Sequence, residues 1–89
     1  MKVHKFGAVW CNGCLVMKPR WAEIEAQNPW LETEYHDYDQ DKEAVQRFAI
    51  DEKLPTFVVV DQEGREFLRL SGEIETDKLI EVINANKDR

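Results

Sequence analysis

The order of apolar runs and turn signals predicts an α/β fold, βαβαββα, with a four-stranded mixed sheet and helices on both faces. Three observations carry that reading. Thr56-Phe57-Val58-Val59-Val60 is β-branched and aromatic, as expected of an interior strand covered on both faces. Cys14, Met17, Trp21 and Ile24 recur at spacings of three, four and three, which is a stripe along one helical face. Asp61-Gln62-Glu63-Gly64 then separates two strand-like segments as a hairpin turn would, with Gly64 free to take positive φ.

The elements follow in order. Lys2 to Trp10 has strand character through Val3, Phe6, Ala8, Val9 and Trp10, although Gly7 weakens it. Residues 12 to 27 read as a helix. Pro19 deprives the Leu15 carbonyl of its donor, yet the apolar stripe keeps phase across it, so one kinked helix is expected. Asn28-Pro29 ends that helix, because a residue before proline avoids the helical region.

Thr33 to Tyr38 is the second strand. Asp39-Gln40-Asp41 supplies a helix start, and Val45, Phe48 and Ala49 form the buried side of a short helix. Lys53-Leu54-Pro55 leads into the interior strand. Arg65 to Leu70 returns beside it, and its charges (Arg65, Glu66, Arg69) suit an edge. After Ser71-Gly72, a last helix from about Thr76 to Asn86 buries Leu79, Ile80, Val82 and Ile83.

At 89 residues the chain is expected to be a single domain, 1–89. Its 43% hydrophobic content excludes wholesale disorder. Twelve Lys and Arg against eighteen Asp and Glu leave a net charge of −6, which argues against nucleic acid and anionic membrane surfaces as partners. No apolar run approaches the ~20 residues that span a bilayer. The start, Met1-Lys2-Val3-His4-Lys5, has no apolar signal-peptide core, so a cytoplasmic location is expected.

The chemistry concentrates at Trp10-Cys11-Asn12-Gly13-Cys14, where the first strand passes into the first helix. A sulfur at or beside the N-cap lies near backbone N–H groups with no intrahelical acceptor, and the helix dipole favours an anion there. Both effects favour thiolate over thiol. Cysteines so placed titrate at about 3.5–7.5, against about 8.5 for a free one. Cys11 is therefore expected to attack first.

Cys14 shares its helical face, with Cβ atoms about 5–6 Å apart in a regular helix and ~3.8 Å in a disulfide. It belongs to the apolar stripe, so it is expected to be the less exposed sulfur and to resolve a mixed disulfide. Other uses of such a pair fit less well. A zinc site needs two more ligands, and the chain's two histidines, His4 and His36, lack the usual ligand spacing, so no metal is assigned. A copper-carrier module of order βαββαβ ends on a strand, whereas this chain ends on a helix.

The chain resembles a thioredoxin over nearly its whole length. The matching residues are Phe6-Gly7-Ala8-Val9-Trp10-Cys11-Asn12-Gly13-Cys14, Pro19, Tyr38-Asp39-Gln40, Leu54-Pro55-Thr56, Gly64, Ser71-Gly72 and Leu79. The resemblance implies a thioredoxin fold, with Cys11 attacking and Cys14 resolving. It also implies a cis Leu54–Pro55 bond beside the cysteines, and a shallow substrate groove bordered by Trp10, Leu54, Pro55 and Gly72. An extended substrate would pair there with the Leu54 backbone as added strand.

Three departures stand out. The resemblance begins after the family's usual opening strand and helix, leaving the compact core that glutaredoxins share. Asn12-Gly13 replaces Gly-Pro between the cysteines. Lys5 occupies the place of the family's buried carboxylate, and Tyr35 that of its neighbouring lysine. Lys5 is expected either to lower a thiol pKa, if it lies near the sulfurs, or to snorkel to solvent.

The expected function is thiol–disulfide oxidoreduction on protein disulfides. With no nucleotide fingerprint and no cofactor implied, electrons must come from an external reductant such as thioredoxin reductase or glutathione. The rivals are glutaredoxin-like chemistry on glutathione, and a thiolate metal carrier or cluster-bridged dimer. Ser71-Gly72-Glu73, in place of the glutaredoxins' Gly-Gly and acidic residue, weakens the first.

Overall fold

The computed structural model describes residues 1–89. Its elements are β1 (Lys2–Gly7), α1 (Asn12–Gln27), β2 (Glu32–Asp37), α2 (Lys42–Arg47), β3 (Thr56–Val60), β4 (Glu66–Ser71) and α3 (Thr76–Asn86). The strands lie in the order β2-β1-β3-β4. β1 runs parallel to β2 and antiparallel to β3, and β3 is antiparallel to β4. This is the expected four-stranded mixed sheet. No helix is long and apolar enough to cross a membrane.

Strand alternation sends side chains from β1 and β3 into two separate clusters. Val3, Phe57 and Val59 pack with Met17, Trp21 and Ile24 of α1 and with Leu79 and Ile83 of α3. On the opposite face, Phe6, Val58 and Val60 pack with Ala44, Phe48 and Ile50. β3 is buried at every position, which explains its unbroken apolar run. β4 forms the edge, where a bulge skips Phe67 and the Arg69 guanidinium pairs with Glu66 at 2.7 Å.

α1 runs unbroken through Pro19. Pro19 and Leu15 are both exposed, so the carbonyl that loses its donor opens on water. Three local expectations need correction. β1 stops at Gly7 instead of continuing to Trp10, because its parallel partner ends opposite, at Asp37. Tyr38 N–H then donates to Gly7 O at 2.7 Å, and Ala8 to Trp10 turn towards α1. β2 lies one residue earlier than the Thr33–Tyr38 expected.

The third correction concerns Ala49, which is exposed and not part of the buried side of α2. It takes φ +52°, while Ala49 N–H bonds Gln46 O at 3.2 Å and Ile50 N–H bonds Val45 O at 2.9 Å. That is a left-handed helix stop in which alanine stands where glycine is usual.

Candidate active site

Cys11 is the N-cap of α1, with extended backbone (φ −96°, ψ 108°), and its Sγ accepts the Cys14 N–H at 3.1 Å. The cap forms because Ala8–Trp10 reverse the chain, with Cys11 N–H donating to Ala8 O at 3.1 Å. Cys11 and Cys14 are joined as a disulfide, with Cα atoms 5.3 Å apart. The first turn of α1 holds no acidic residue that would oppose negative charge on the sulfur. Orphan N–H groups and the dipole therefore act on Cys11 Sγ together.

The expected order of exposure is reversed. Cys11 is buried, 6% exposed, whereas Cys14 keeps intermediate exposure. Cys14, one turn into the helix, faces a cavity of about 340 Å³ that Gly7, Tyr35 and Pro55 also line. What favours an anion at Cys11 is thus the electrostatics of the cap and not access.

Two glycines let neighbours approach. A methyl at Gly7 would lie 3.1 Å from Tyr35 Cε1 and 3.2 Å from both Tyr35 Oη and Cys14 Sγ. A methyl at Gly13 would lie 3.0 Å from Pro55 Cδ. The Leu54–Pro55 bond is cis, and Pro55 packs against the motif. Sequence reading passed over Gly7 as a weak strand residue. Its close approach to Cys14 depends on the β1–β2 pairing that brings Tyr35 alongside, which no local signal reveals.

Around the disulfide lies an apolar collar. Val9 is 86% and Leu15 62% exposed, and Trp10 and Val16 are also uncovered. Trp10 is held edge-on to Tyr38 (centroids 6.2 Å apart), with its Nε1–H donating to Asp39 Oδ2 at 2.8 Å. Gly72 N–H donates to Pro55 O at 2.8 Å, which links these two groove residues. Leu54 N–H is engaged by Glu52 O at 3.0 Å, while the Leu54 carbonyl accepts no bond from the chain. Of these residues, Pro55 lines the cavity with Cys14, Trp10 precedes Cys11 in the chain, and Gly72 is tied to Pro55.

Lys5 is held in an ion pair and does not reach out to solvent alone. Its side chain is only 18% exposed, and its Nζ donates to Glu25 Oε2 of α1 at 2.6 Å, about 5.9 Å from the Trp21 ring centroid. Glu25 lies eleven residues beyond Cys14, roughly 16 Å along the helix, while Lys5 itself lines the cavity that Cys14 faces. Tyr35 is the polar group nearer Cys14. Burial, and then the Asp37 carboxylate, push its phenol pKa up, so it stays neutral and retains its O–H.

Comparison with known proteins agrees with this geometry. The thioredoxin family model matches residues 2–85. No curated protein sequence matches the chain. Among solved structures, the thioredoxin of Fasciola hepatica is 32% identical, with TM-score 0.84 over 94% of this chain and 78% of that one. The thioredoxin NaTrxh of Nicotiana alata is 28% identical, with TM-score 0.84 over 94% and 70%. Thioredoxin f2 of Chlamydomonas reinhardtii shares the fold at 22% identity, with TM-score 0.84 over 99% and 80%. Cap, cysteine spacing, sheet order and family match converge on one assignment: the chain belongs to the thioredoxin family, and family and fold together support thiol–disulfide oxidoreduction as its chemistry.

Proposed function

We propose that the chain reduces disulfides in protein substrates, with Cys11 as nucleophile and Cys14 as resolving thiol. The observation that carries this reading is the cap itself, with Cys11 Sγ 3.1 Å from the Cys14 N–H and Cys14 close enough to bond it. In the reduced chain, the Cys11 thiolate attacks one substrate sulfur. The substrate S–S bond breaks, and the departing sulfur takes up a proton. Cys14, once deprotonated, attacks Cys11 Sγ and releases the second substrate thiol. Two electrons pass to the substrate, and the chain is left with its internal disulfide.

An external dithiol or thiol donor, of the thioredoxin reductase or glutathione type, must return those electrons. A cytoplasmic setting suits the cycle, because thiols are kept reduced there. Val9, Trp10 and Leu15 offer apolar contact to an extended substrate, and the Leu54 carbonyl offers a main-chain acceptor beside Pro55.

Trapping tests the reading. Cys14→Ser should accumulate mixed disulfides with extract proteins through Cys11, and Cys11→Ser should accumulate none. An empty trap with Cys14→Ser would remove the proposal. Reducing the oxidised chain separately with glutathione and with thioredoxin reductase identifies the donor.

A further inference from the structure

A second polar cluster lies across the sheet from α1. His4 and Glu34 face each other in the β1–β2 register, and His36 lies two residues on. The three ligand atoms, one from each side chain, lie within 4.8 Å of one another. His4 Nδ1 is 2.9 Å from His36 Nε2, and Glu34 Oε2 is 3.6 Å from the same nitrogen. Both histidines are buried, 6% exposed, in the cluster beneath α2, whereas Glu34 is exposed.

We propose that His4, His36 and Glu34 form a binding site for a zinc-like divalent transition-metal ion. Two imidazole nitrogens and a carboxylate oxygen, with one position left for water, are a known zinc donor set. Ligand nitrogens about 2.0–2.1 Å from a tetrahedral ion lie about 3.3–3.4 Å apart, so the two rings need open by only about half an ångström. The Glu34 oxygen already stands at such a separation.

The outer partners are also in place. His36 Nδ1 lies 2.7 Å from Asp41 Oδ2. A carboxylate accepts, so His36 carries its proton on Nδ1 and presents the Nε2 lone pair inward, as metal-bound histidines do. His4 needs only to move its proton from Nδ1 to Nε2. Lys2 Nζ holds the other Glu34 oxygen, Oε1, at 2.7 Å. A depression of about 430 Å³ reaches His4 from solvent, and Glu32 and Asp61 on its wall balance Lys2 and Arg47. Spacing in sequence hid the set, because strand pairing joins residues thirty-two apart.

The test uses the full chain with its disulfide intact, so the sulfurs are unavailable to the ion. Zinc chloride titrated calorimetrically into metal-stripped protein should saturate at one ion per chain. Glu34→Gln, at an exposed position, should weaken binding about tenfold without unfolding the chain. Asp41→Asn, which still caps α2, should weaken it about 10–100-fold. Zinc should raise the melting temperature of the parent chain more than that of either variant. Absence of saturable one-to-one binding overturns the site. So does affinity unchanged in both variants, or binding that appears only after reduction and therefore belongs to the cysteines.

Discussion

On each face of the sheet β1 holds one polar side chain largely out of water, Lys5 on one and His4 on the other, and the two are accommodated differently. On the α1 face, Lys5 meets the opposite charge of Glu25. On the α2 face, His4, His36 and Asp41 form a chain of hydrogen bonds. Burial, and then His36, hold the His4 pKa below its ordinary value. The Asp41 carboxyl is held low chiefly by its bond from His36.

The α1 face leaves a polar atom unpaired, since the Trp21 indole N–H is buried without a partner. The comparison separates two ways of burying polarity. A half-buried ion pair depends on both members being present, because removing either leaves the other unbalanced. A hydrogen-bonded pair of imidazoles has a ring nitrogen to offer in exchange for the proton shared between the rings. The cysteine pair lies at the start of α1, on the ion-pair face, and Lys5 lines the cavity that Cys14 faces.

The largest expected effect separates the faces. Cys11→Ser should lower disulfide reductase activity at least a thousandfold, the loss expected when a nucleophile that acts together with its partner is removed. Zinc binding at the α2 face should be unchanged, and joint loss of both properties would break the comparison.

Packing comes next. Ile24, fully buried among Val3, Trp21 and Leu79, should cost about 2–5 kcal/mol when replaced by alanine. Total stability for a chain this size is about 5–10 kcal/mol, so urea melts should show a much lower midpoint. A shift equivalent to less than about 1 kcal/mol would mean that the α1 face is packed more loosely than described.

Smaller and asymmetric effects are expected at the ion pair. Glu25→Gln leaves the Lys5 ammonium half-buried and unbalanced, and should destabilise by about 1–2 kcal/mol, less than a fully buried pair because solvent reaches both groups. Lys5→Met keeps the volume and leaves unbalanced only Glu25, the more exposed partner, which water can solvate, so its melt should stay within about 1 kcal/mol of the parent. Equal losses in the two variants would contradict this asymmetry. Least of all, Ala49→Gly should stabilise the α2 face by about 1 kcal/mol, because glycine takes the left-handed stop without penalty.

What sequence could and could not reveal follows from the range of each interaction. β3 and α1 were legible because burial on both faces, or on one stripe, leaves its period in the residues themselves. Cys11 and Cys14 were legible for the same reason, since a helix start and a three-residue spacing are local. Val9-Trp10 misled because their apolar side chains are exposed beside the disulfide instead of continuing a strand. Lys5 with Glu25, and His4 with His36, were hidden because tertiary packing chooses those partners. The reversed exposure of the two cysteines was hidden too, because exposure is set by tertiary packing.

The account rests on α1 holding an ionised sulfur at its first residue. Its most direct test is the thiolate ultraviolet absorbance of reduced Cys14→Ser followed against pH, which reads Cys11 alone. A midpoint between about 3.5 and 7.5 is predicted, with the thiolate present above it and lost as pH falls through it. A midpoint at or above about 8.5, that of an ordinary thiol, would contradict the account.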